Sequence, residues 1–163
     1  LDLVTNHLAW DHPWIAQHPD WFHPKREIVN MDDEKDATTG WLSGLPDLNQ
    51  SVPEVYKHLV AYSKFWIEKT DANGIRLDAV KHIDHEFWKK YLGEMKNFAA
   101  QLGKNDFLML GEFLHGDQQK YLPYIEDGFN AFYDYPLYYS MADVFARNQS
   151  LMFLPSPKCR IIR

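Results

Sequence analysis

Arg76 and Asp78 lie two residues apart in the stretch Asn-Gly-Ile-Arg-Leu-Asp-Ala-Val-Lys-His-Ile-Asp-His, residues 73–85. Asn73-Gly74 is a turn signal, because both residues tolerate positive φ. Ile75 and Leu77 then alternate with Arg76 and Asp78, the two-residue period of a strand. That period puts the arginine and the aspartate on one face and the two aliphatics on the other. A guanidinium beside a carboxylate favours the charged form, and a charged carboxylate at a strand end suits a nucleophile. A purely structural ion pair at the strand terminus is the other reading this stretch leaves open. A second carboxylate, Glu112, closes the apolar run Phe107-Leu108-Met109-Leu110-Gly111. Paired carboxylates on neighbouring strands are what glycoside hydrolysis needs: one attacks the anomeric carbon and the other protonates the leaving oxygen. The apolar run predicts a desolvated seat for Glu112, fit for a proton-bearing acid. A buried carboxylate paired with a cation is the structural alternative.

The elements that must position these residues follow from periodicity. Leu1 to His7 is predicted as a nearly continuous apolar strand with a polar end. Residues 8–48 have no strong period and are punctuated by Pro13, Pro19, Pro24, Gly40, Gly44 and Pro46, which predicts a loop-rich insert; stretches of this length are usually functional. Ser51-Val52-Pro53-Glu54 has capping-box spacing and opens a helix to about Lys69, with Val55, Leu59, Tyr62 and Trp66 as its stripe. Asp84 is placed to cap a second helix carrying Phe87, Tyr91, Met95, Phe98 and Leu102, ended by Gly103. A strand at 107–112, a short helix at 117–125, a weaker strand at 128–133 and a helix at 136–147 complete the order. Such alternation predicts a parallel sheet covered by helices, an α/β fold. The tail 149–163 breaks the pattern and receives no element. In parallel α/β folds reactive residues gather at the carboxyl ends of strands; here those are Asn6, His7, Arg76, Asp78, Lys81, His82 and Glu112.

Composition narrows the partners. Lys+Arg 17 against Asp+Glu 23 gives a net charge of −6, which argues against nucleic acid. No apolar run reaches the length of a membrane span, and a single cysteine excludes an internal disulfide. No signal peptide is in view, and the compartment is left open. Trp10, Trp14, Trp21 and Trp41 suit either stacking on sugar rings or a small local core. His7, His12, His18 and His23 do not repeat at a helical interval and lack the His-Glu-x-x-His pattern of a metallohydrolase.

Four motifs occur in one order: Asp2-Leu-Val-Thr-Asn6-His7, Leu45-Pro-Asp47-Leu-Asn49, Gly74-Ile-Arg76-Leu-Asp78-Ala-Val-Lys81-His82 and Leu110-Gly-Glu112. This resembles the α-amylase family of glycoside hydrolases, family 13, from Leu1 to about Asn148. The resemblance implies a partial (β/α)8 TIM barrel, strands three to six, with residues 8–48 as the insert after the third strand. It implies Asp78 as nucleophile and Glu112 as acid/base. It sets His7 and Arg76 at the attacked sugar, and Lys81 and His82 on the leaving-group side. The implied substrate is a starch-like α-glucan or maltooligosaccharide, cleaved with retention. Two alternatives stand beside hydrolysis: a transglycosylase, and a non-catalytic carbohydrate-binding or scaffold homologue on the same fold. Asn6, Asp47 and the backbone carbonyl of His82 match calcium-ligand positions, and oxygen ligands of this kind suit that ion. The family's third acid, in an Asn-His-Asp motif on the seventh strand, has no counterpart in these 163 residues. The expectation is therefore a fragment that is inactive and aggregation-prone by itself, since four strands leave two open edges.

Overall fold

A computed structural model describes residues 1–150; the tail, from residue 151 on, lies outside the described residues. The predicted strands are present as β1 (Asp2–Leu3), β2 (Gly74–Leu77), β3 (Leu108–Gly111) and β4 (Ala131–Phe132), parallel and in the order β1-β2-β3-β4. The helices are α1 (Trp14–Gln17), α2 (Glu34–Thr39), α3 (Pro53–Thr70), α4 (His85–Gln101), α5 (Leu122–Asp127) and α6 (Tyr135–Met141), the last continuing as a π turn over Ala142–Ala146. The outcome is a four-stranded parallel α/β sheet, as the alternation predicts, and it fits the partial barrel that the resemblance implies. Among the described residues, no helix is long and apolar enough to cross a membrane.

Register decides which residues share a face. Asp2 pairs with Arg76, Leu3 with Leu77, Ile75 with Met109, Arg76 with Leu110 and Leu77 with Gly111. Leu3, Ile75, Leu77 and Met109 therefore lie on one face. They are buried in a single core with Val55, Leu59 and Ile67 of α3 and Trp88, Tyr91, Leu92 and Met95 of α4. Leu1 and Val4 are exposed, so β1 is not the doubly buried strand its apolar run predicts. It stands at an edge with one neighbour, and only Leu3 turns inward.

Helix α4 follows its capping signals, but of the stripe expected to be buried only Phe87, Tyr91 and Met95 are; Phe98 is half-buried and Leu102, at the fraying end, is exposed. Asp84 accepts a hydrogen bond from the Phe87 amide at 2.9 Å, and Gly103 ends the helix at φ 77°. Helix α3 departs from its signals in two ways. Its cap is Val52, without a side-chain hydrogen bond, because Ser51 is held in an Asx turn by Asn49 Oδ1 at 3.1 Å. Its buried row is Val55, Leu59, Val60, Ser63 and Ile67, while Tyr62 and Trp66 are exposed. Ser63 can occupy the buried row because its hydroxyl donates to the Leu59 carbonyl at 2.7 Å and meets the Tyr91 hydroxyl at 2.6 Å. A buried polar group with partners costs little.

Residues 8–48 hold only short helical turns. Asp36 organises the middle of this segment, accepting from the amides of Val29 (2.8 Å) and Asn30 (2.6 Å) and from Arg26. Its return is stitched to the end of β1: Leu8 N donates to the Pro46 carbonyl, and Leu48 N to the Asn6 carbonyl. Trp21 is buried between His18 and His58 of α3, and Trp41 donates its indole N–H to the His23 carbonyl, so both serve local packing.

Candidate active site

Both carboxylates sit one residue beyond paired strand ends. Asp78 N donates to the Leu3 carbonyl at 3.1 Å, and Glu112 N to the Leu77 carbonyl at 2.9 Å. The Glu112 carbonyl in turn accepts from Val80 N at 3.1 Å. Their backbones are thus fixed to the neighbouring strands. Immediately after Asp78, Ala79 takes a left-handed conformation, φ 53° and ψ 38°. For a residue with a Cβ this costs about 1–2 kcal/mol. It turns the chain into the tight helical turn Val80–His82 and leaves Asp78 at the rim. Strain of this sort concentrates at functional sites.

One guanidinium joins the site. Arg76 Nη1 lies 2.7 Å from Asp78 Oδ1 and 2.7 Å from Asp2 Oδ1, and Nη2 pairs with Glu112 Oε2. Asp78 and Glu112 therefore face each other across one side chain. Burial works against the charge on Arg76, but the carboxylates of Asp2, Asp78 and Glu112 outweigh it and push its pKa up. The desolvated seat expected for Glu112 is not found. Its side chain is 29% exposed against 21% for Asp78, and it accepts from Tyr135 Oη at 3.0 Å as well as from Arg76. The period of two explains this: the buried members of that run are Phe107, Met109 and Gly111, whereas Glu112 belongs to the opposite face. Burial, and then the hydrogen bond to Glu112, raise the Tyr135 pKa, so its hydroxyl stays a donor. Tyr135 is a site residue that the motifs missed; Asp2 opens the first motif but was given no role there. Asp2 was within reach of sequence reasoning, through its register with Arg76.

His7 stands beside Asp78; burial lowers its pKa despite the pull of that carboxylate. Burial also lowers that of His82, whose Nδ1 donates to the Ala37 carbonyl in α2 at 3.0 Å. Both imidazoles are neutral at pH 7 and offer hydrogen bonds without charge. Lys81 reaches away from Asp78 to Asp32 on the insert, 3.3 Å from its Oδ1. The site therefore brings together Asp2, His7, Arg76, Asp78, Glu112 and Tyr135, with Lys81 and His82 turned toward the insert.

Asn6 and Asp47 meet at the seam between β1 and the insert, where both are fully buried. Asp47 Oδ2 is 2.7 Å from His23 Nδ1, but Asp47 Oδ1 and Asn6 Oδ1 are buried without a hydrogen-bond partner. Burial pushes the Asp47 pKa up to about 6, against the opposing pull of His23 and Asn6. Two orphaned hard oxygens, one on a carboxylate that burial disfavours as an anion, fit a calcium ion.

A cavity of about 420 Å³ opens over Arg76 and Glu112, walled by Asp2, Tyr133, Asp134, Tyr135 and Tyr138. A larger hollow of about 940 Å³ between α3 and α4 lies away from the carboxylates, and its size alone gives it no chemistry.

A parallel β/α sheet with an arginine and two facing carboxylates at its carboxyl rim is the architecture of a barrel enzyme site. The sequence profile described as "Alpha amylase, catalytic domain" matches residues 1–158, and the chain belongs to that family. The match runs about ten residues past Asn148, into the tail that received no element. The chain is 31% identical to the maltogenic alpha-amylase of Bacillus acidopullulyticus, over 93% of this chain and 26% of that protein. Among solved structures, it is similar to the alpha-amylase of Geobacillus thermoleovorans in complex with acarbose (41% identity, TM-score 0.82, 88% of this chain and 32% of that one). An Anoxybacillus alpha-amylase gives 40% identity and a TM-score of 0.85, over 94% of this chain and 34% of that one. The chain thus spans about a quarter to a third of the length of these relatives.

Proposed function

We propose that this chain is part of a (β/α)8 catalytic domain, with residues 8–48 as an inserted subdomain, that cleaves α-glucosidic bonds with retention. Its substrates are starch-like glucans or maltooligosaccharides. The observation carrying this is the single Arg76 guanidinium that holds Asp78 and Glu112 toward each other. The names of the relatives, and the acarbose bound in one of them, support the α-glucan.

Asp78 attacks the anomeric carbon, the bond to the leaving oxygen breaks, and Glu112 passes its proton to that oxygen. Glu112 then takes a proton from water, whose oxygen displaces Asp78 from the same carbon. Two displacements preserve the anomeric configuration. Tyr135, donating to Oε1, fixes the rotamer of Glu112. His7 and Arg76 line the attacked sugar; Lys81 and His82 serve the leaving group. Asn6 Oδ1, Asp47 Oδ1 and the His82 carbonyl would hold a calcium ion, whose charge would offset that of Asp47 at the seam between β1 and the insert.

The test is made on the full-length protein. Asp78→Asn abolishes hydrolysis of maltooligosaccharides, and Glu112→Gln lowers kcat by roughly 10²–10⁴-fold. NMR of the first-formed product gives the α-anomer. A β-anomer, or an Asp78→Asn variant as active as its parent, overturns the reading.

A further inference from the structure

Arg76 holds its three carboxylates in two different ways. Nη1 donates a hydrogen bond to Asp2 Oδ1 at 2.7 Å, and Nη2 donates one to Glu112 Oε2. Asp78 Oδ1 lies equally near Nη1, at 2.7 Å, yet off the direction of its N–H bonds, so the two are paired by charge. Among the described residues, the Asp78 carboxylate accepts no hydrogen bond; the donor beside it is spent on Asp2.

The sheet builds this arrangement. Asp2 and Arg76 are partners across the β1–β2 rung, so their side chains leave the sheet side by side on one face. The fold does not need the pair. Strand β1 is already held by Arg76 N donating to the Leu1 carbonyl at 2.6 Å, by Asp78 N donating to the Leu3 carbonyl at 3.1 Å, and by Leu3 in the core. A partly exposed ion pair adds little to that.

The chemistry gives Asp2 a purpose. A charge-assisted hydrogen bond is among the strong ones. Donated to Asp78, it would stabilise the carboxylate before attack and be lost as the same carboxylate bonds to the anomeric carbon. Only interactions that strengthen toward the transition state speed a reaction, so such a bond would slow this one. In that step the bond to the leaving oxygen breaks and Glu112 passes its proton to that oxygen. The negative charge thus moves from Asp78 to Glu112. Asp2 takes no part in the transfer and stays the fixed acceptor for Nη1 throughout.

We propose that Asp2 is a positioning residue: it takes up the Nη1 hydrogen bond of Arg76 and so keeps that bond off Asp78, whose oxygen is left free to attack. The proposal rests on the reading of Asp78 and Glu112 given above. Arg76 then orients the nucleophile by its charge, and the edge strand β1 decides where its N–H points.

The experiment compares two substrates on the full-length protein. Maltohexaose needs both the nucleophile and the acid; α-maltosyl fluoride needs the nucleophile and little help from an acid. In Asp2→Ala the freed N–H turns to Asp78. The expected result is a fall in kcat/KM of about 10-fold on both substrates alike, carried by kcat, with KM and the melting temperature near those of the parent. Asp2→Asn, whose amide oxygen still accepts a hydrogen bond, recovers most of the loss. Parent-like rates in Asp2→Ala overturn the proposal. A loss confined to maltohexaose puts the effect on Glu112 and overturns it too. A loss that Asp2→Asn shares in full, or one that comes with a lower melting temperature and a raised KM, makes Asp2 a brace for β1 and equally overturns it. Failure of the underlying reading has a different mark: Asp78→Asn would still turn over the fluoride.

Discussion

The two faces of the four-stranded sheet divide the work. Leu3, Ile75, Leu77 and Met109 are buried against α3 and α4, while the residues alternating with them include Asp2, Arg76, Asp78 and Glu112. One face gains its stability from apolar area removed from water. The other holds three carboxylates around a single cation, an arrangement that core packing would never select. The backbone of β2 belongs to both, so a rigid aliphatic face is what fixes the geometry of the ionic one. Mutations that separate the two faces test this division.

The largest effect is expected at Arg76. Arg76→Met removes the only cation facing Asp78 and Glu112 among the ion pairs described. A loss of about 10²–10³-fold in kcat is expected, the scale for removing a preorganised electrostatic partner. The melting temperature should move far less, because the site is partly exposed and solvent screens the ion pairs. Arg76→Lys is expected to recover little, since one ammonium cannot reproduce a planar fork that reaches both carboxylates. The reverse is expected at Leu77, which is fully buried. Leu77→Ala should cost about 2–5 kcal/mol in denaturant unfolding, with kcat per folded molecule within a few-fold of the parent. If both variants lost activity and stability in the same proportion, the division between faces would be wrong.

A different kind of pressure acts at the seam. Asp47 has a folded pKa of about 6, raised by burial, above the roughly 3.9 of an unfolded aspartate. The folded state thus holds a proton more readily than the unfolded one. The stability this contributes is fully present below about pH 4 and is lost as pH rises toward 6, by an amount on the order of 2–3 kcal/mol. In the presence of a chelator, the stability difference between the parent and Asp47→Asn should shift in that direction over pH 4–6. Added calcium should raise the melting temperature of the parent at pH 7 and not that of Asp47→Ala. Equal calcium responses in both would place the ion elsewhere.

These contrasts also explain what the sequence made legible. The bounds of helix α4 are legible from cap to glycine, because Asp84 and Gly103 act within one or two turns, though Leu102 of its apolar row is exposed. Arg76 and Asp78 were readable because a strand's period of two is local. The buried row of α3 was not, because Ser63 occupies it through a hydrogen bond to Tyr91, 28 residues away, which no local pattern records. The setting of Glu112 is not legible in the apolar run before it, because alternate residues of a strand face opposite sides. Tyr135 is not legible for a related reason: it meets Glu112 only when the start of α6 is brought to the rim.

Gly111 tests how tightly the faces are coupled. A Cβ there would overlap the ring of Phe132, its partner across the β3–β4 rung, and Phe132 packs against the core. Overpacking of this kind costs about 1–3 kcal/mol. Glu112 follows directly, so Gly111→Ala should lower both the unfolding free energy and kcat, unlike Leu77→Ala. Unchanged kcat would mean that the strand end absorbs the displacement.

The smallest effect is expected at Tyr135, and it is the sharpest in what it resolves. Tyr135→Phe deletes only the hydroxyl that donates to Glu112 Oε1 at 3.0 Å. One such hydrogen bond contributes about 0.5–1.5 kcal/mol net. Stability should scarcely change, since α6 keeps its cap: Asp134 accepts from Leu137 N at 2.9 Å. If the hydroxyl serves to orient Glu112, the loss should fall on kcat for natural glucans, whose leaving oxygen must be protonated. It should nearly vanish for a glycosyl fluoride, whose departure needs less help from an acid. A matching loss on both substrates would tie Tyr135 to the placement of Asp78 through Arg76 instead, and would move the boundary between the two carboxylates' roles.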